Sequence, residues 1–498
     1  MTETATAEPL ALENSYGRLP GEFYAHATPT AVSAPQLLRL NRPLADQLGL
    51  DASSLDSPAG LEVLAGNRVP AGAEPLAMAY AGHQFGNFAP TLGDGRAILL
   101  GEIIDRDGVR RDIQLKGAGP TPFSSRGDGR AALGPVIREY VVSEGMAGLG
   151  IPTTRALAMV ATGESVLRMP GAEPGGVLTR VAASHVRVGT FEYFARRGHN
   201  DAVRSLADYV IERHYPHAAE AANPYLALLE NVAKRTADLI ARWQLVGFIH
   251  GVMNTDNVSI AGETIDYGPC AFMDTYNPAT VYSSIDHGGR YAYNQQPPIG
   301  QWNLARFAEC LLPLLADDEE EAISQAKAVL EHYIERFEAT YTDGLVAKVG
   351  LEPRHDGDAD LAEGLLQCMA EQDADFTLVF RRLADLGDAP DERDDAVRTL
   401  FKDPAAFDRW AVRWRQRLST ETRDEAGRRA AMRAINPAYI PRNHRIQQTI
   451  DAAEAGDYQP LEDLLTVVAR PFEDHPDLAE YAQPPKPAEV VARTFCGT

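Results

Sequence analysis

An α+β protein of two lobes is what this 498-residue sequence predicts, β-rich in front and helical behind, with an extension at each end. Two observations carry the prediction. Aliphatic and β-branched runs bounded by Gly and Asp concentrate between residues 96 and 181, whereas from about residue 185 apolar residues recur at helical spacing. A segment dense in His, Asn and Asp, residues 250–266, then interrupts the helices.

Taken in order, residues 1–75 are rich in Pro, Ala and Leu, and Pro35-Gln-Leu-Leu-Arg-Leu40 reads as a short helix. They form an N-terminal extension packed on the body. Residues 76–184 form the β-rich lobe, in which 96–105 and 109–115 are strands joined by Arg106-Asp107-Gly108, an Asp-Gly hairpin signal. A helix follows at 133–149, with Val136, Tyr140 and Met146 at helical spacing and Gly148 and Gly150 at its end. Residues 156–181 return to β. The helical lobe covers 185–435 and is clearest at 201–213, 224–246, 303–315 and 319–342, with two short strands expected around Ala261-Gly262-Glu263. The acidic run from Asp317 to Glu321 starts a helix, where negative charge is favoured. Residues 436–498 form a C-terminal extension.

Composition narrows the function. The chain carries 70 acidic and 47 basic residues, a net charge of −23, which argues against nucleic acid as the main partner. No apolar run is long enough to span a membrane, and the N-terminus lacks the basic and apolar regions of a secretory signal, so the cytoplasm is the expected location. The four cysteines show no zinc-ligand spacing.

The segment His250-Gly-Val-Met-Asn-Thr-Asp-Asn257, followed by Asp266-Tyr-Gly268, has the spacing of a protein-kinase catalytic loop and its metal-binding Asp. Val252 stands where a kinase keeps its base, and an acid reappears at Asp256, the candidate base. Asn257 and Asp266 are hard oxygen ligands suited to Mg²⁺, with Mn²⁺ the alternative. His250 is read as a brace for the loop. Upstream, Gly93-Asp-Gly95-Arg96 brings bare backbone and a guanidinium before the first strand, where phosphate could approach closely. Alternation along the second strand sets Ile113 and Leu115 on one face, Gln114 and Lys116 on the other. Glu139, 23 residues on in the next helix, is the natural partner of Lys116. Asp128 and Gly129 lie in a second glycine loop before that helix, and Arg180 and Arg187 could clamp phosphates or pair with acidic side chains. Gly loop, Lys, Glu, His…Asn and Asp-x-Gly occur in protein-kinase order, so the two lobes are expected to be kinase-like.

The chain resembles selenoprotein O, a family of kinase-like protein adenylyltransferases. The resemblance covers most of the sequence and rests on Tyr80-Ala-Gly-His-Gln-Phe-Gly86, Leu92-Gly-Asp-Gly-Arg96, Gln114-Leu-Lys-Gly-Ala-Gly119, Gly127-Asp-Gly-Arg-Ala131, the 250–257 loop, Asp266-Tyr-Gly-Pro-Cys270, Trp302-Asn-Leu-Ala-Arg306 and Asn436-Pro-Ala-Tyr-Ile-Pro-Arg-Asn-His444. It implies ATP held in a reversed orientation and AMP transferred to Ser, Thr or Tyr hydroxyls of protein substrates. Nucleotide contacts would come from Gly93, Gly95, Arg96, Lys116, Asp128, Gly129, Arg180, Arg187 and Asp266. The metal would be held by Asn257 and Asp266, and Asp256 would be the active-site acid. A redox link between Cys270 and Cys496 is also implied, regulatory rather than structural in a reducing compartment. UMP transfer from UTP, ordinary phosphotransfer and an inert nucleotide-binding pseudokinase scaffold are the alternatives.

Overall fold

A computed structural model describes residues 10–168, 171–352 and 355–495. It is α+β, and its sheet and helices divide along the chain. Seven strands form one antiparallel sheet: β1 (Tyr24–His26), β2 (Gln36–Leu40), β3 (Leu76–Met78), β4 (Ala97–Ile104), β5 (Arg110–Lys116), β6 (Arg155–Arg168) and β7 (Gly171–Ala182). Their spatial order is β1-β3-β4-β5-β7-β6-β2, with the two-residue strand Ala131–Ala132 pairing β7 off that path. The β4–β5 hairpin closes as the Asp-Gly signal predicts: Asp105 accepts the N–H groups of Asp107 and Val109, and Gly108 takes φ +77°.

The segment Pro35–Leu40 corrects an expectation. Gln36–Leu40 is strand β2, paired with β6, and not a helix. A run this short has no helical face long enough to bury, so an available sheet edge decides its conformation. Residues 10–75 thus supply strands to both sheet edges and cover one face. Leu44, Leu48, Leu55 and Leu64 pack there against Ile98, Ile113, Leu115 and Val177.

Helix α1 (Leu133–Gly148) crosses the sheet's other face; Gly150, at φ +73°, ends it. The helical half continues through α2 (Val188–Ala195), α3 (Asn200–His214), α4 (Pro224–Val246), α5 (Gln296–Leu315) and α6 (Glu319–Lys348). Helix α4 starts on Asn223, whose side chain accepts from Tyr225 and Leu226, and ends on left-handed Gly247. Asp318 caps α6 ahead of Glu319, Glu320 and Glu321, the expected acidic first turn. Two C-terminal helices, α7 (Asn443–Glu454) and α8 (Gln459–Ala469), pack on α1 through Ile446, Leu461, Leu464 and Val468. They approach so closely that a Cβ at Gly145 would overlap Pro441 and one at Gly148 would overlap the Val468 carbonyl.

The strands expected around Ala261-Gly262-Glu263 lie elsewhere. That tripeptide is a turn, and the strand pair is Phe248–Ile249 with Ala271–Phe272, bracketing the whole 250–270 segment. Gly262, at φ +77° and packed against Arg235, makes the turn, and the residues beside it form single bridges, Ser259 with Arg187 and Thr264 with Thr153. Among the described residues no helix is long and apolar enough to cross a membrane.

Candidate active site

A cavity of about 220 Å³ lies between the sheet and the 250–270 segment. Gly95, Arg96 and Lys116 line it from the sheet side, Arg180 and Arg187 from the end of β7 and the start of α2, and Val252, Asp256, Asn257 and Asp266 from the opposite wall. Glu139 stands behind it on α1, buried, and joins two of its cations. Lys116 Nζ donates to Glu139 Oε2 at 2.5 Å, and Arg180 donates to Glu139 Oε1 through Nε at 2.8 Å and Nη2 at 2.5 Å. The pairing predicted from a 23-residue spacing therefore exists, and Arg180 shares it.

Asp266 is the second anchor. Its Oδ1 accepts from Arg180 Nη2 at 2.7 Å and lies 3.5 Å from Lys116 Nζ, while Oδ2 accepts from Arg187. Its backbone sits at φ +63°, a left-handed conformation that few non-glycine residues adopt, Asn and Asp most readily. Burial alone would raise the acid, but Arg187, Arg180 and Lys116 hold it well below the usual carboxylate range. Glu139 likewise stays below its ordinary value, because Arg180 and Lys116 outweigh its burial. Burial draws Lys116 downward against the pull of Glu139.

Asp256 differs from both. It is buried, and burial pushes its carboxyl up to about 6 against the opposing charge of Arg187. Gln84 Nε2 donates to Oδ2 at 3.3 Å, and no donor among the described residues reaches Oδ1. Glycine makes this seating possible: a Cβ at Gly82 would overlap the Asp256 carboxylate, and one at Gly189 would press on its Cα. An acid with an unengaged oxygen and a raised affinity for protons is suited to accept one from a hydroxyl.

His250 braces the loop. Its Nε2 donates to the Ile265 carbonyl at 2.9 Å and Nδ1 accepts the Val252 N–H at 3.4 Å, which ties the 250–257 strand of the loop to Asp266. Burial depresses its basicity, so the ring is neutral. Asn257 Nδ2 donates to the Val252 carbonyl at 3.0 Å, which commits the amide nitrogen and leaves the oxygen as the ligand atom. Asn257 and Asp266 both line the cavity with oxygen atoms of the kind Mg²⁺ takes, although both Asp266 oxygens accept from Arg180 and Arg187 in this structure. Among the described residues no three His, Cys, Asp or Glu side chains gather as a metal site, so the protein's share would be these two.

Three predicted contacts stand apart from the cavity wall. Gly93 packs under Phe123, Asp128 is exposed and pairs with Arg168 at 2.9 Å, and Gly129, at φ +66°, abuts the Gly119 backbone. Cys270 is buried at the end of the Asp-Tyr-Gly turn; Cys496 lies outside the described residues. Sequence reading missed Asp94, Tyr80 and Asn254. Buried Asp94 lies 3.9 Å from Arg187 and accepts the Met78 N–H; its position between Gly93 and Gly95 was the available signal. The Arg187 guanidinium lies 4.8 Å from the Tyr80 ring centre. Asn254 Oδ1 accepts from Phe85 N–H at 3.0 Å and Tyr291 hydroxyl at 2.6 Å, which only the fold could bring together.

A cavity lined by four cations, three carboxylates and three side-chain amides suits phosphate chemistry, and comparison with known proteins gives the class: the chain is an enzyme, a nucleotidyltransferase. It belongs to the family of protein adenylyltransferase SelO, whose model it matches over residues 7–469. It is 64% identical over 487 residues to the protein nucleotidyltransferase YdiU of Rhodopseudomonas palustris strain BisB5, covering 98% of this chain and 99% of that protein. The protein of the same name from a strain of Methylorubrum extorquens is 63% identical over 492 residues, with the same coverage. That of a Bradyrhizobium strain is 61% identical over 487 residues, again covering 98% and 99%.

Proposed function

We propose that this chain transfers AMP from ATP to Ser, Thr or Tyr hydroxyls of protein substrates, from a kinase-like two-lobed fold that holds the nucleotide reversed. The observation that carries the reading is the pairing of Val252 with Asp256. Both line the cavity, and the acid belongs to the later position, not to that of a kinase base. In the reaction, the acceptor oxygen bonds to the α-phosphorus while the bond from that phosphorus to the bridging oxygen breaks. Pyrophosphate leaves with the electron pair, and the hydroxyl proton passes to the Asp256 carboxylate.

Lys116, Arg180 and Arg187 offset the phosphate charge, and Glu139 keeps the first two in place. Their fixed positions mean that little reorganisation is needed at the moment of reaction. Asn257 and Asp266 would hold Mg²⁺ or Mn²⁺, which would supply neutralisation of phosphate charge. Gly95 and Arg96 complete the nucleotide contacts within the cavity; Gly93, Asp128 and Gly129, which the family pattern adds, would meet the nucleotide only where it extends beyond the cavity wall. A Cys270–Cys496 disulfide would tether the tail near the site. In support, Thr494 Oγ1 donates to the Pro269 carbonyl at 2.5 Å, next to Cys270.

The test is ATP labelled at the α- or the γ-phosphate, incubated with Mg²⁺, the enzyme and a protein mixture. Protein-bound α-label is expected. Label from the γ-position alone would mean phosphotransfer, and bound nucleotide with neither label would mean a scaffold; either result refutes the proposal. The same assay with α-labelled UTP decides between AMP and UMP.

A further inference from the structure

Two motifs that the nucleotide chemistry leaves unused, Tyr80–Gly86 and Trp302–Arg306, meet beside Asp256. The hairpin Gly82–Gln84 with Asn87–Ala89 carries Asp256's partner Gln84 and sets His83 edge-on to Trp302 at 5.4 Å. Asn303 Nδ2 donates to the Met253 carbonyl at 3.0 Å, so the second motif also supports the 250–257 loop. Arg290 lies where they join. Its Cζ is 4.7 Å from the Trp302 ring centre and faces the position a Cβ would take on Gly86. Tyr291, its neighbour, bonds through its hydroxyl to Asn254, two residues before Asp256.

The charge of Arg290 is unbalanced. Arg306, on the same tryptophan at 5.0 Å, is neutralised by Glu309 at 2.6 Å. No carboxylate among the described residues lies within ion-pair distance of Arg290, and its Nε and Nη2 have no hydrogen-bond partner. Those two nitrogens form the side-on fork of a guanidinium, the edge that takes both oxygens of one carboxylate. Both nitrogens are shielded in this state, with the guanidinium over Trp302, while the residue as a whole is half-buried. Arg290 also lines an open depression of about 520 Å³, together with Gly288, Gly289, Asn294 and Gln295. A Cβ at Gly288 would meet open space, so nothing crowds an incoming chain there.

We propose that Arg290 selects acceptors: its side chain turns from Trp302 into this depression and takes the carboxylate of an Asp or Glu close in sequence to the hydroxyl that meets Asp256. This inference rests on the transfer of AMP to protein hydroxyls. The alternative use of the same cation, a contact to nucleotide phosphate, is a distinct outcome of the test. A charge-assisted bidentate contact of this kind is worth roughly 10- to 100-fold in binding.

The experiment is a set of synthetic peptides with one Ser, Thr or Tyr and Glu, Gln or Lys at flanking positions, plus α-labelled ATP and Mg²⁺. Wild-type enzyme, Arg290→Gln and Arg290→Glu are compared, with a whole-protein acceptor mixture alongside. Glu-flanked peptides are expected to show a KM about 10-fold or more below that of Gln-flanked ones. Arg290→Gln should erase that difference without a matching fall in kcat, and Arg290→Glu should favour Lys. Equal use of all peptides, or a preference that Arg290 variants leave intact, overturns the inference while AMP transfer stands. A rise in KM for ATP in Arg290→Gln assigns the residue to the nucleotide and also overturns it. No α-label on any peptide or protein overturns the transfer reading and the inference together.

Discussion

Arg187 and Asp266 are paired inside the cavity, and the same guanidinium nitrogen also donates to the Asp256 carbonyl at 2.6 Å. One side chain therefore sets the distance between the acid of the loop and the acid of the Asp-Tyr-Gly turn. Lysine would keep a charge at one nitrogen but lose the planar guanidinium, whose Nη2 faces Asp94 at 3.9 Å and whose Cζ lies 4.8 Å from the Tyr80 ring centre. Arg187→Lys is expected to lower kcat for α-label transfer by at least about 10-fold, from misplacement of Asp256 more than from lost charge. Stopped-time labelling at saturating ATP measures this; unchanged kcat would show that the pairing has no part in turnover.

Glu139 compensates two buried cations at once. Glu139→Gln keeps the shape and removes the charge, leaving Lys116 and Arg180 facing each other with only Asp266 between them. Removing one partner of a buried ion pair typically costs about 3–5 kcal/mol. The variant should therefore unfold at lower urea concentration and bind ATP more weakly. Equilibrium denaturation with and without nucleotide separates the two effects. A stability equal to that of the parent would mean that the cations find other partners.

Much of this arrangement was legible in the sequence, for a reason that differs from part to part. Asp107-Gly108 specified its hairpin locally, through a turn that needs a left-handed residue. Alternation alone set Lys116 on the face away from Ile113 and Leu115, both buried in the core. Arg180 was legible as a cation but not as the link between Glu139 and Asp266, because its partners sit 41 and 86 residues away. The strand at Gln36–Leu40 was misread because five residues carry too little periodicity to choose between a helix and a sheet edge. The turn at Gly262 lies where the sequence put it, but the residues flanking it bridge singly to Arg187 and Thr153 rather than pairing as strands, because local composition does not name distant partners.

Two buried groups outside the cavity give stability a pH dependence of opposite sign. Burial pushes Glu263 from 4.5 up to about 7, although it accepts the Ala183 N–H at 2.9 Å. Between those values the folded chain keeps a proton that the unfolded chain has released, so stability falls as pH rises. Burial draws Lys348 from 10.5 down to about 7; its Nζ lies 4.4 Å from the Phe380 ring centre. Above pH 7 the unfolded chain holds the extra proton, so stability rises with pH until the unfolded lysine titrates. Each group contributes a slope of at most ~1.4 kcal/mol per pH unit. Glu263→Gln should flatten the acid limb and Lys348→Met the alkaline limb in urea titrations at pH 5.5, 7 and 9. Variant curves parallel to the parent at every pH would contradict these assignments.

Val252 and Asp256 yield the sharpest contrast. The Val252 backbone is fixed on both sides, its N–H on His250 and its carbonyl accepting from Asn257, so Val252→Asp changes the side chain without moving the loop. Valine and aspartate are close in size, and the position lines the cavity, where a carboxylate can be solvated. If the nucleotide is reversed, an acid at 252 faces no γ-phosphoryl group in line with an acceptor. The variant should therefore transfer no γ-label, and the added negative charge beside phosphate should weaken ATP binding. Asp256→Asn, by contrast, removes the proton acceptor and should lower α-label transfer by roughly 10²- to 10⁴-fold with ATP binding retained. Both are read in the dual-label assay with nucleotide affinity measured separately. Efficient γ-transfer by Val252→Asp would mean that ATP lies in the ordinary kinase orientation, and full activity of Asp256→Asn would require another base.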